Sequence, residues 1–456
     1  MRKAALHNLG CKVNAYETES MQQLLEQAGY EIVPFEEAAD VYVVNTCSVT
    51  NIADRKSRQM LHRARRRNPD SVVVAAGCYV QTAKEQAEDA AVDIFIGNNK
   101  KHELPQLLEQ FFASREAAQE GAADKERNDS LKIAAVSDIG RDSEYETLSV
   151  SRTAEHTRAF MKVQDGCNQF CSYCIIPYAR GRVRSRQMQD VIQEAKRLSD
   201  NGCKEVVLTG IHLSSYGVDL GTDLITLIEK VHDLPRIARI RLGSLEPKIV
   251  TEEFAGRLAK LPKLCPHFHL SLQSGCDAVL KRMNRKYTCA EYLQACELLR
   301  GCFTHPAITT DVIVGFPGET EEEFQETRRF LKKIGFFEIH IFKYSLRKGT
   351  RAAAMEHQIP EQVKNVRSDI LFSDLAPMNE AFLDWHLGRE AEALLEEQVS
   401  FEGKEYFLGH TKEYVKIAVP AEEPGQSLVN RVVRGRITSR LKERVLQMEN
   451  VLEETS

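Results

Sequence analysis

Short apolar strands alternate with helical stretches along most of the chain, and this alternation restricts the fold more than any other feature. In residues 1–113 we predict strands at Lys3–Leu9, Val41–Thr46, Ser71–Gly77 and Asp93–Gly97, with helical spacing of apolar residues between them. A βαβα series of this kind forms a parallel, doubly wound sheet with helices on both faces. The sequence therefore predicts an α/β N-terminal domain whose ligands bind at the carboxyl ends of its strands.

A second series of the same kind covers residues 153–384. Six strands alternate with helices there, which predicts an open (β/α)6 barrel with its active site at the carboxyl ends of the strands. The predicted strands are Ala159–Gln164, Glu205–Gly210, Arg239–Gly243, His267–Gln273, Ala307–Val314 and Glu338–Lys343.

Two further segments lack this alternation. Residues 114–152 are rich in Ala, Glu, Asp, Ser and Lys, and we predict a linker there in which only Leu131–Val136 has the pattern of an ordered segment, such as a short hairpin. Residues 387–448 have the pattern of short antiparallel strands separated by glycines, which predicts a small β-barrel. A chain of 456 residues has room for about three such domains.

Composition restricts the compartment and the partners. Acidic residues outnumber basic ones 66 to 61, which excludes a uniformly basic nucleic-acid binder but not a locally basic face. The chain has no apolar run of about 18 residues and no signal-peptide core, which predicts a cytoplasmic protein without a membrane span. Cytosolic thiols stay reduced, so the 12 cysteines are expected to be metal ligands, catalytic groups or small buried residues.

Three cysteines follow the first strand of the second series at the spacing Cys167-x3-Cys171-x2-Cys174. Three thiolates this close in sequence can converge on a four-iron cluster and leave one iron open to a further ligand. Zinc sites usually add a second CxxC or histidines, and none follows closely here. Three unrelated buried cysteines are the alternative, and the regular spacing argues against it.

Three more cysteines, Cys11, Cys47 and Cys78, each follow a predicted strand of the N-terminal series. Because the carboxyl ends of parallel strands share one edge of the sheet, these cysteines can converge although they are distant in sequence. The architecture favours a second three-cysteine cluster, and small core residues placed there by coincidence stay the alternative. The other six cysteines show no ligand spacing as a set, and we expect them in the core.

The CxxxCxxC pattern after the first strand of a βα series resembles the radical S-adenosylmethionine (SAM) superfamily, and Tyr173 is the aromatic residue usual before the last cysteine. The resemblance implies a [4Fe-4S] cluster whose free iron binds the amino and carboxylate groups of SAM. One electron, from a donor of the flavodoxin or ferredoxin type, then cleaves SAM to a 5′-deoxyadenosyl radical. An enclosed barrel suits such a radical because it excludes solvent.

Four motifs resemble the methylthiotransferase family of radical SAM enzymes, and the C-terminal barrel is similar to its TRAM domain. The motifs are LGCKVNAYETE at Leu9–Glu19, NTCSVT at Asn45–Thr50, AGCYVQ at Ala76–Gln81 and DGCNQFCSYCIIPYARGRVRSR at Asp165–Arg186. The resemblance implies a second [4Fe-4S] cluster held by Cys11, Cys47 and Cys78. It also implies that one SAM donates methyl, another supplies the radical, and a separate donor supplies sulfur.

Two of the motif variants favour one branch of this family. GCKVN-x-YE at Gly10–Glu17 and VVLTGIHLSSYG at Val206–Gly217 are most similar to the MtaB-like subfamily. That resemblance implies methylthiolation at C2 of N6-L-threonylcarbamoyladenosine(37), next to the anticodon of tRNA. Two sibling reactions stay open: MiaB-like methylthiolation of N6-isopentenyladenosine in tRNA, and RimO-like modification of a ribosomal-protein aspartate. A non-enzymatic iron–sulfur protein that binds RNA is a remote alternative.

Polar residues follow two other strands of the predicted barrel. By resemblance, Ser244, Glu246, Ser271 and Gln273 help Tyr173 to hold SAM or the substrate. Capping of turns is the alternative for these polar residues.

Two basic runs predict contacts with RNA phosphates, in a chain that is acidic overall. The stretch Arg55–Arg67 has seven Lys or Arg and no Asp or Glu, and a second run follows the CxxxCxxC pattern. A solvated face is the alternative for each. We predict contacts with a tRNA anticodon stem-loop at Arg63, Arg65, Arg66, Arg67, Arg182, Arg184, Arg186 and, in the C-terminal barrel, Arg434.

Overall fold

The computed structural model describes residues 1–82, 89–121, 131–153, 157–421 and 427–453. Its N-terminal part is a six-stranded parallel sheet in the order β2-β1-β3-β4-β5-β6. The strands are β1 (Lys3–Asn8), β2 (Glu31–Ile32), β3 (Val41–Thr46), β4 (Val72–Gly77), β5 (Ile94–Ile96) and β6 (Ile133–Ala135). The helices are α1 (Lys12–Gln27), α2 (Asn51–Arg67), α3 (Cys78–Thr82) and α4 (Leu104–Gly121).

The two central strands show why this sheet is covered on both faces. Every residue of β3 and β4 is buried. Val43 packs into an apolar cluster with residues of α1 and α4, whereas its neighbour Val44 packs into a second cluster with residues of α2. Nearly continuous runs of valine and alanine are typical of parallel strands buried on both sides. The predicted doubly wound sheet is therefore confirmed, and its carboxyl edge is the part left to carry a site.

Part of the segment predicted as a linker, residues 114–152, belongs to this sheet. Helix α4 continues to Gly121, and β6 pairs in parallel with β5. Residues 122–130 of the segment lie outside the described residues. The prediction is corrected at β6 because backbone pairing with β5 stabilises this edge strand, and composition alone does not reveal such pairing. The other domain boundaries stay predictions.

The central part is an open barrel of six parallel strands, which confirms the predicted (β/α)6 architecture. One sheet has the order β10-β9-β7-β8, with β8 antiparallel to β7, and a second has the order β11-β12-β13. Isolated bridges between Ile240 and Leu264 and between Leu245 and Leu270 join the two sheets. The strands are β7 (Arg158–Asp165), β8 (Arg184–Ser185), β9 (Glu205–Gly210), β10 (Arg239–Leu242), β11 (His267–His269), β12 (Ala307–Val314) and β13 (Glu338–Lys343). The helices are α5 (Ile176–Arg180), α6 (Met188–Asp200), α7 (Leu224–His232), α8 (Glu252–Leu258), α9 (Asp277–Arg282), α10 (Cys289–Cys302), α11 (Glu321–Ile334) and α12 (Glu361–His386).

The C-terminal part is a closed five-stranded β-barrel in the order β14-β15-β16-β18-β17, as predicted. Its strands are β14 (Glu390–Phe401), β15 (Lys404–Thr411), β16 (Lys416–Pro420), β17 (Val432–Lys442) and β18 (Val445–Glu453). Arg239, at the start of β10, pairs with Glu392 at 2.7 Å, and Arg241 donates to the carbonyl of Lys412 at 2.9 Å. The small barrel therefore contacts the amino-terminal end of the central strands, opposite the CxxxCxxC loop.

None of the helices in the described ranges combines the length and the apolar character that a membrane span requires.

Candidate functional site

Cys11, Cys47 and Cys78 meet at the carboxyl edge of the N-terminal sheet. Cys11 caps α1, Cys47 directly follows β3, and Cys78 begins α3 after β4. Parallel pairing of β1, β3 and β4 brings the residues after these strands together. Burial, and then the neighbouring Cys78 thiol, raises the pKa of Cys47 to about 11. The three sulfurs are therefore close enough to interact, as the strand positions predicted.

Two glycines allow the close approach of the cysteine loops. Gly10 has a φ of 117°, and a Cβ there would lie 2.9 Å from the Cβ of Cys47. Gly166 has a φ of 70°, and a Cβ there would lie 1.8 Å from the carbonyl oxygen of Arg182. A side chain at either position would force the adjacent backbone apart, so both loops depend on glycine.

A buried ion network joins the two cysteine sites. Arg180 of α5 donates through Nε to the sulfur of Cys78 at 3.3 Å and contacts Glu17 of α1 at 2.5 Å. Lys101 and Lys162 also contact Glu17, at 3.1 and 2.8 Å. Although burial alone would raise the pKa of Glu17, Arg180 and the two lysines hold it well below its usual value. The central domain thus supplies part of the surroundings of the N-terminal cysteines.

We expect Glu17→Ala to lower the free energy of unfolding by about 3–5 kcal/mol, because it leaves three buried cations short of counter-charge. The measurement is denaturant unfolding at pH 7 followed by circular dichroism. Since the pKa of Glu17 is depressed in the folded protein, its stabilisation is present above its unfolded pKa and disappears as the pH falls towards the folded value.

The matched control is Glu26→Ala on the same helix, where the carboxylate pairs with the exposed Arg152 at 2.9 Å. We expect that change to cost less than about 1 kcal/mol, because an exposed pair is screened by solvent. Equal losses for Glu17→Ala and Glu26→Ala would contradict the structural role given to the buried network.

Cys167, Cys171 and Cys174 lie in the loop after β7. The N–H of Cys167 donates to the carbonyl of Gly181 at 3.0 Å, and the sulfur of Cys171 accepts a hydrogen bond from Arg285 at 3.1 Å. Burial, followed by the neighbouring Cys171, raises the pKa of Cys174 to about 12. A metal group that binds Cys174 as a thiolate must therefore displace its proton.

The donor sets at both sites fit an iron–sulfur cluster better than one zinc ion. Sulfurs around a tetrahedral zinc, at a Zn–S distance of about 2.3 Å, lie about 3.8 Å from one another. Among the residues that the structure describes, no three cysteine sulfurs lie within 4.8 Å of one another. The N–H donors that reach the sulfurs, from Arg180 and Asn98 to Cys78 and from Arg285 to Cys171, are also suited to a cluster with protein hydrogen bonds to sulfur.

The residues predicted to hold SAM or the substrate are near the mouth of the central barrel. Ser244 lines the barrel cavity. Glu246 accepts a hydrogen bond from Gln169 of the cysteine loop at 3.1 Å and lies 3.2 Å from His212. The ring of Tyr173 packs edge-on against Phe316. His212, just after the end of its strand, is therefore a direct neighbour of Glu246.

Ser271 and Gln273 follow β11, and their backbone takes part in barrel structure. The carbonyl of Ser271 accepts a hydrogen bond from the hydroxyl of Tyr287. Gln273 has a φ of 71°, and its N–H donates to the carbonyl of Asp311 at 2.8 Å. Contacts of these residues with SAM stay a prediction.

Two of the arginines predicted to contact RNA are buried, which contradicts the prediction for them. Arg184 is 1% exposed and donates to the carbonyl of Arg180 at 3.0 Å. Arg186 is 2% exposed and pairs with Glu194 at 2.8 Å. Their guanidinium groups hold β8 to its neighbours and are not available to a phosphate. Arg182, in contrast, is exposed and lies over a phenylalanine ring, so its RNA contact stays a prediction.

The basic end of α2 lies away from both cysteine sites. The helix starts near the cysteines and has 17 residues, so its last turn is about 25 Å away. Arg65 pairs with a carboxylate at 2.5 Å, and Arg67 donates to a backbone carbonyl. Arg63 and Arg66 are exposed there, as is Arg434 on the C-terminal barrel. RNA contacts at these five positions stay predictions, on surfaces that are separate from the barrel mouth.

One cavity of about 790 Å³ connects the three parts of the molecule. Cys11 and Lys12 line it from the N-terminal domain, and Tyr414 lines it from the C-terminal barrel. The barrel strands contribute mostly polar side chains, among them Arg158, Thr209, Arg241, His267, His269, Thr309, Asp311, Glu338 and His340. An interior of this polarity is suited to a bound ligand, in contrast to the apolar layers of a packed barrel.

Sequence reasoning missed these inward-facing residues, although a signal was present. RIR at Arg239–Arg241, HFH at His267–His269 and EIH at Glu338–His340 place polar residues at every second position of a strand. Alternate residues of a strand point to the same side, so this period predicts a polar inner face.

Comparison with known proteins agrees with this geometry. The family models that match are the radical SAM superfamily, over residues 161–331, and the uncharacterized protein family UPF0004, over residues 3–97. The solved structure of the radical S-adenosylmethionine methyltransferase TsrM from Kitasatospora setae, with cobalamin and a [4Fe-4S] cluster bound, has a similar fold. Its TM-score is 0.54 at 18% identity, over 75% of each chain. The open barrel with three cysteines after its first strand defines a radical SAM enzyme.

Relatives that match over nearly the whole chain narrow this class. The chain is 40% identical over 447 residues to threonylcarbamoyladenosine tRNA methylthiotransferase MtaB of Bacillus subtilis. The match covers 96% of this chain and 94% of that protein. It is 35% identical to tRNA-2-methylthio-N(6)-dimethylallyladenosine synthase of Moorella thermoacetica, over 94% of each. The chain therefore belongs to the methylthiotransferase family of radical SAM enzymes, in its MtaB-like branch, and the resemblance of the motifs is confirmed.

Proposed function

We propose that this protein attaches a methylthio group to C2 of N6-threonylcarbamoyladenosine next to the anticodon of tRNA. The observation that carries the proposal is the 40% identity to the threonylcarbamoyladenosine enzyme of Bacillus subtilis along nearly the full length of both chains. The two cysteine sites support it, because Cys11 lines the same cavity as the inner face of the radical SAM barrel.

Two [4Fe-4S] clusters and SAM are part of the proposal. Cys167, Cys171 and Cys174 would hold one cluster, and the three N-terminal cysteines would hold the other. When bound, the first cluster supplies reductive cleavage of SAM and the second supplies sulfur. The chain's own residues orient these groups: Arg180 and Arg285 donate hydrogen bonds to cysteine sulfurs.

The proposed partners follow from this chemistry. The substrate is the anticodon stem-loop of a tRNA, whose unpaired adenosine can be unstacked to reach the barrel, as single-stranded loops allow. An electron donor of the flavodoxin or ferredoxin type and a sulfur donor complete the reaction, which we place in the cytoplasm. Tyr173, Ser244, Glu246, Ser271 and Gln273 are the proposed contacts for SAM or the adenosine.

Nucleoside mass spectrometry of tRNA from a strain without this gene tests the proposal. We expect the 2-methylthio form of threonylcarbamoyladenosine to disappear and its unmethylthiolated parent to accumulate, because no other step consumes it at C2. A plasmid copy of the wild-type gene should restore the product, and a copy with Cys47→Ala should not.

Two other outcomes would replace the proposal with a sibling reaction. Loss of the methylthio form of isopentenyladenosine would indicate the activity named for the Moorella thermoacetica relative. An unchanged nucleoside profile would instead favour a ribosomal-protein aspartate as the target.

A further inference from the structure

The cavity shared by the three domains contains a lysine that forms no ion pair with the residues that the structure describes. The charged side chains that line it are Lys12, Arg158, Arg241, Asp311 and Glu338. Both acids have a basic side chain beside them: Asp311 lies 3.3 Å from His269, and Glu338 lies 3.3 Å from Arg444. The acidic residues of the cavity are therefore already engaged.

The two arginines are engaged as well, but the lysine is not. Arg158 pairs with Glu396 at 2.5 Å, and Arg241 pairs with Glu205 at 2.8 Å. These pairs fix both guanidinium groups in the cavity wall. Among the residues that the structure describes, no carboxylate or other acceptor is in hydrogen-bond or ion-pair contact with Lys12. Asp311 attracts its ammonium group from farther away, and Arg241 and Arg158 repel it more strongly.

The position of Lys12 makes an unpaired charge costly. It is the first residue of α1, where the helix dipole disfavours a cation. It shares the cavity with the two arginines, which repel it further. An anion bound at this point would relieve both effects and would gain charge-assisted hydrogen bonds.

We propose that Lys12, with Arg158 and Arg241 behind it, forms a carboxylate-binding site for the threonyl group of the substrate. This inference rests on the proposed function. In adenine, C2 and N6 flank N1 on the same edge of the ring, so a group on N6 enters the cavity together with the carbon that reacts. The threonylcarbamoyl group ends in a carboxylate, whereas the dimethylallyl group is apolar.

The site would therefore select between the two substrates named for the relatives of this chain. An ammonium that lines the cavity binds a carboxylate and gains nothing from an apolar group in the same place. This selection depends on the side group on N6 and not on the chemistry at C2. Lys12 would act as a specificity residue that contacts the substrate.

Binding of two short RNAs to the protein loaded with both clusters tests this site. The probes are anticodon stem-loops that carry threonylcarbamoyladenosine, either as the free acid or with the carboxylate converted to a primary amide. Fluorescence anisotropy under anaerobic conditions gives the Kd of each. We expect wild-type protein to bind the acid about tenfold to a hundredfold more tightly than the amide, as a charge-assisted hydrogen bond predicts.

Lys12→Met should remove most of this preference. The Kd for the acid should rise about tenfold or more, and the Kd for the amide should change less than about twofold. Lys12→Gln should behave in the same way, and Lys12→Arg should restore most of the preference. Lys230→Met removes an exposed charge from the outer helix α7 and should leave both Kd values unchanged.

Iron content and the visible absorption of the clusters are measured for each variant, because Lys12 is adjacent to Cys11. Equal weakening of both RNAs in Lys12→Met and Lys12→Gln, or a wild-type preference for the acid in either variant, would overturn the assignment. A wrong proposed function would give a different result from a wrong carboxylate-binding site. If the proposed function were wrong, the wild-type enzyme itself would not methylthiolate the threonylcarbamoyl RNA.

Discussion

Replacing Cys171 with alanine is expected to abolish the formation of 5′-deoxyadenosine from SAM. The sulfur of Cys171 is one of the three ligands proposed for its loop, and it accepts a hydrogen bond from the half-buried Arg285. Loss of a residue that only supports a metal ligand lowers activity about tenfold to a hundredfold. Loss of the ligand itself should have a larger effect, so we expect the rate of 5′-deoxyadenosine formation to fall about a hundredfold or more. The measurement is chromatography of the products after anaerobic reconstitution with iron, sulfide, dithionite and SAM.

Cys302→Ala is the matched control for this change. Cys302 is an exposed cysteine at the end of α10, outside both ligand sets. Its variant should make 5′-deoxyadenosine at the wild-type rate. Wild-type product formation by the Cys171 variant would show that this cysteine does not hold the cluster that cleaves SAM.

The second large effect is expected for Cys47→Ala, which should keep SAM cleavage and lose methylthiolation. Cys47 follows β3 of the N-terminal sheet, whereas the SAM-cleaving loop follows β7 of the central barrel, so the two sites belong to different sheets. We expect the methylthiolated product to fall by about a hundredfold or more, as for loss of a metal ligand.

Iron analysis separates this result from general unfolding. The Cys47 variant should hold about four fewer iron atoms per chain, the content of one cluster. Its 5′-deoxyadenosine should form at a rate close to that of the Cys302→Ala control. A Cys47 variant that methylthiolates tRNA normally would mean that the two cysteine sites do not divide the reaction as proposed.

The strand pattern predicted the main architecture because its signals are local. The predicted bounds of Val41–Thr46, Glu205–Gly210, Ala307–Val314 and Glu338–Lys343 are the observed ones. Each strand is a run rich in β-branched or aromatic residues beside a turn or a helix cap, and such runs reveal a strand wherever it packs. Convergence of Cys11, Cys47 and Cys78 was also predictable, because parallel strands share a carboxyl edge.

The predictions that the structure corrected concern residues whose role depends on contacts formed only in the folded chain. Arg184 and Arg186 have the sequence pattern of a basic surface, but partners such as Glu194 and Asp165 bury them. The arginines at the end of α2 are close in sequence to a cysteine and distant in space, because the helix leads away from the sheet edge. Strand β6 exists because β5 offers it an open edge.

The sequence by itself determined the class of this protein, because the CxxxCxxC spacing and the strand–helix alternation are patterns of residues close together in the chain. It also indicated the six cysteines that we propose as cluster ligands. Only the tertiary structure decided what surrounds them. Burial turned two predicted RNA contacts into core ion pairs, and docking of the three domains enclosed one polar cavity around Lys12. Those outcomes depend on which side chains meet after folding, and the order of residues along the chain does not specify such contacts locally.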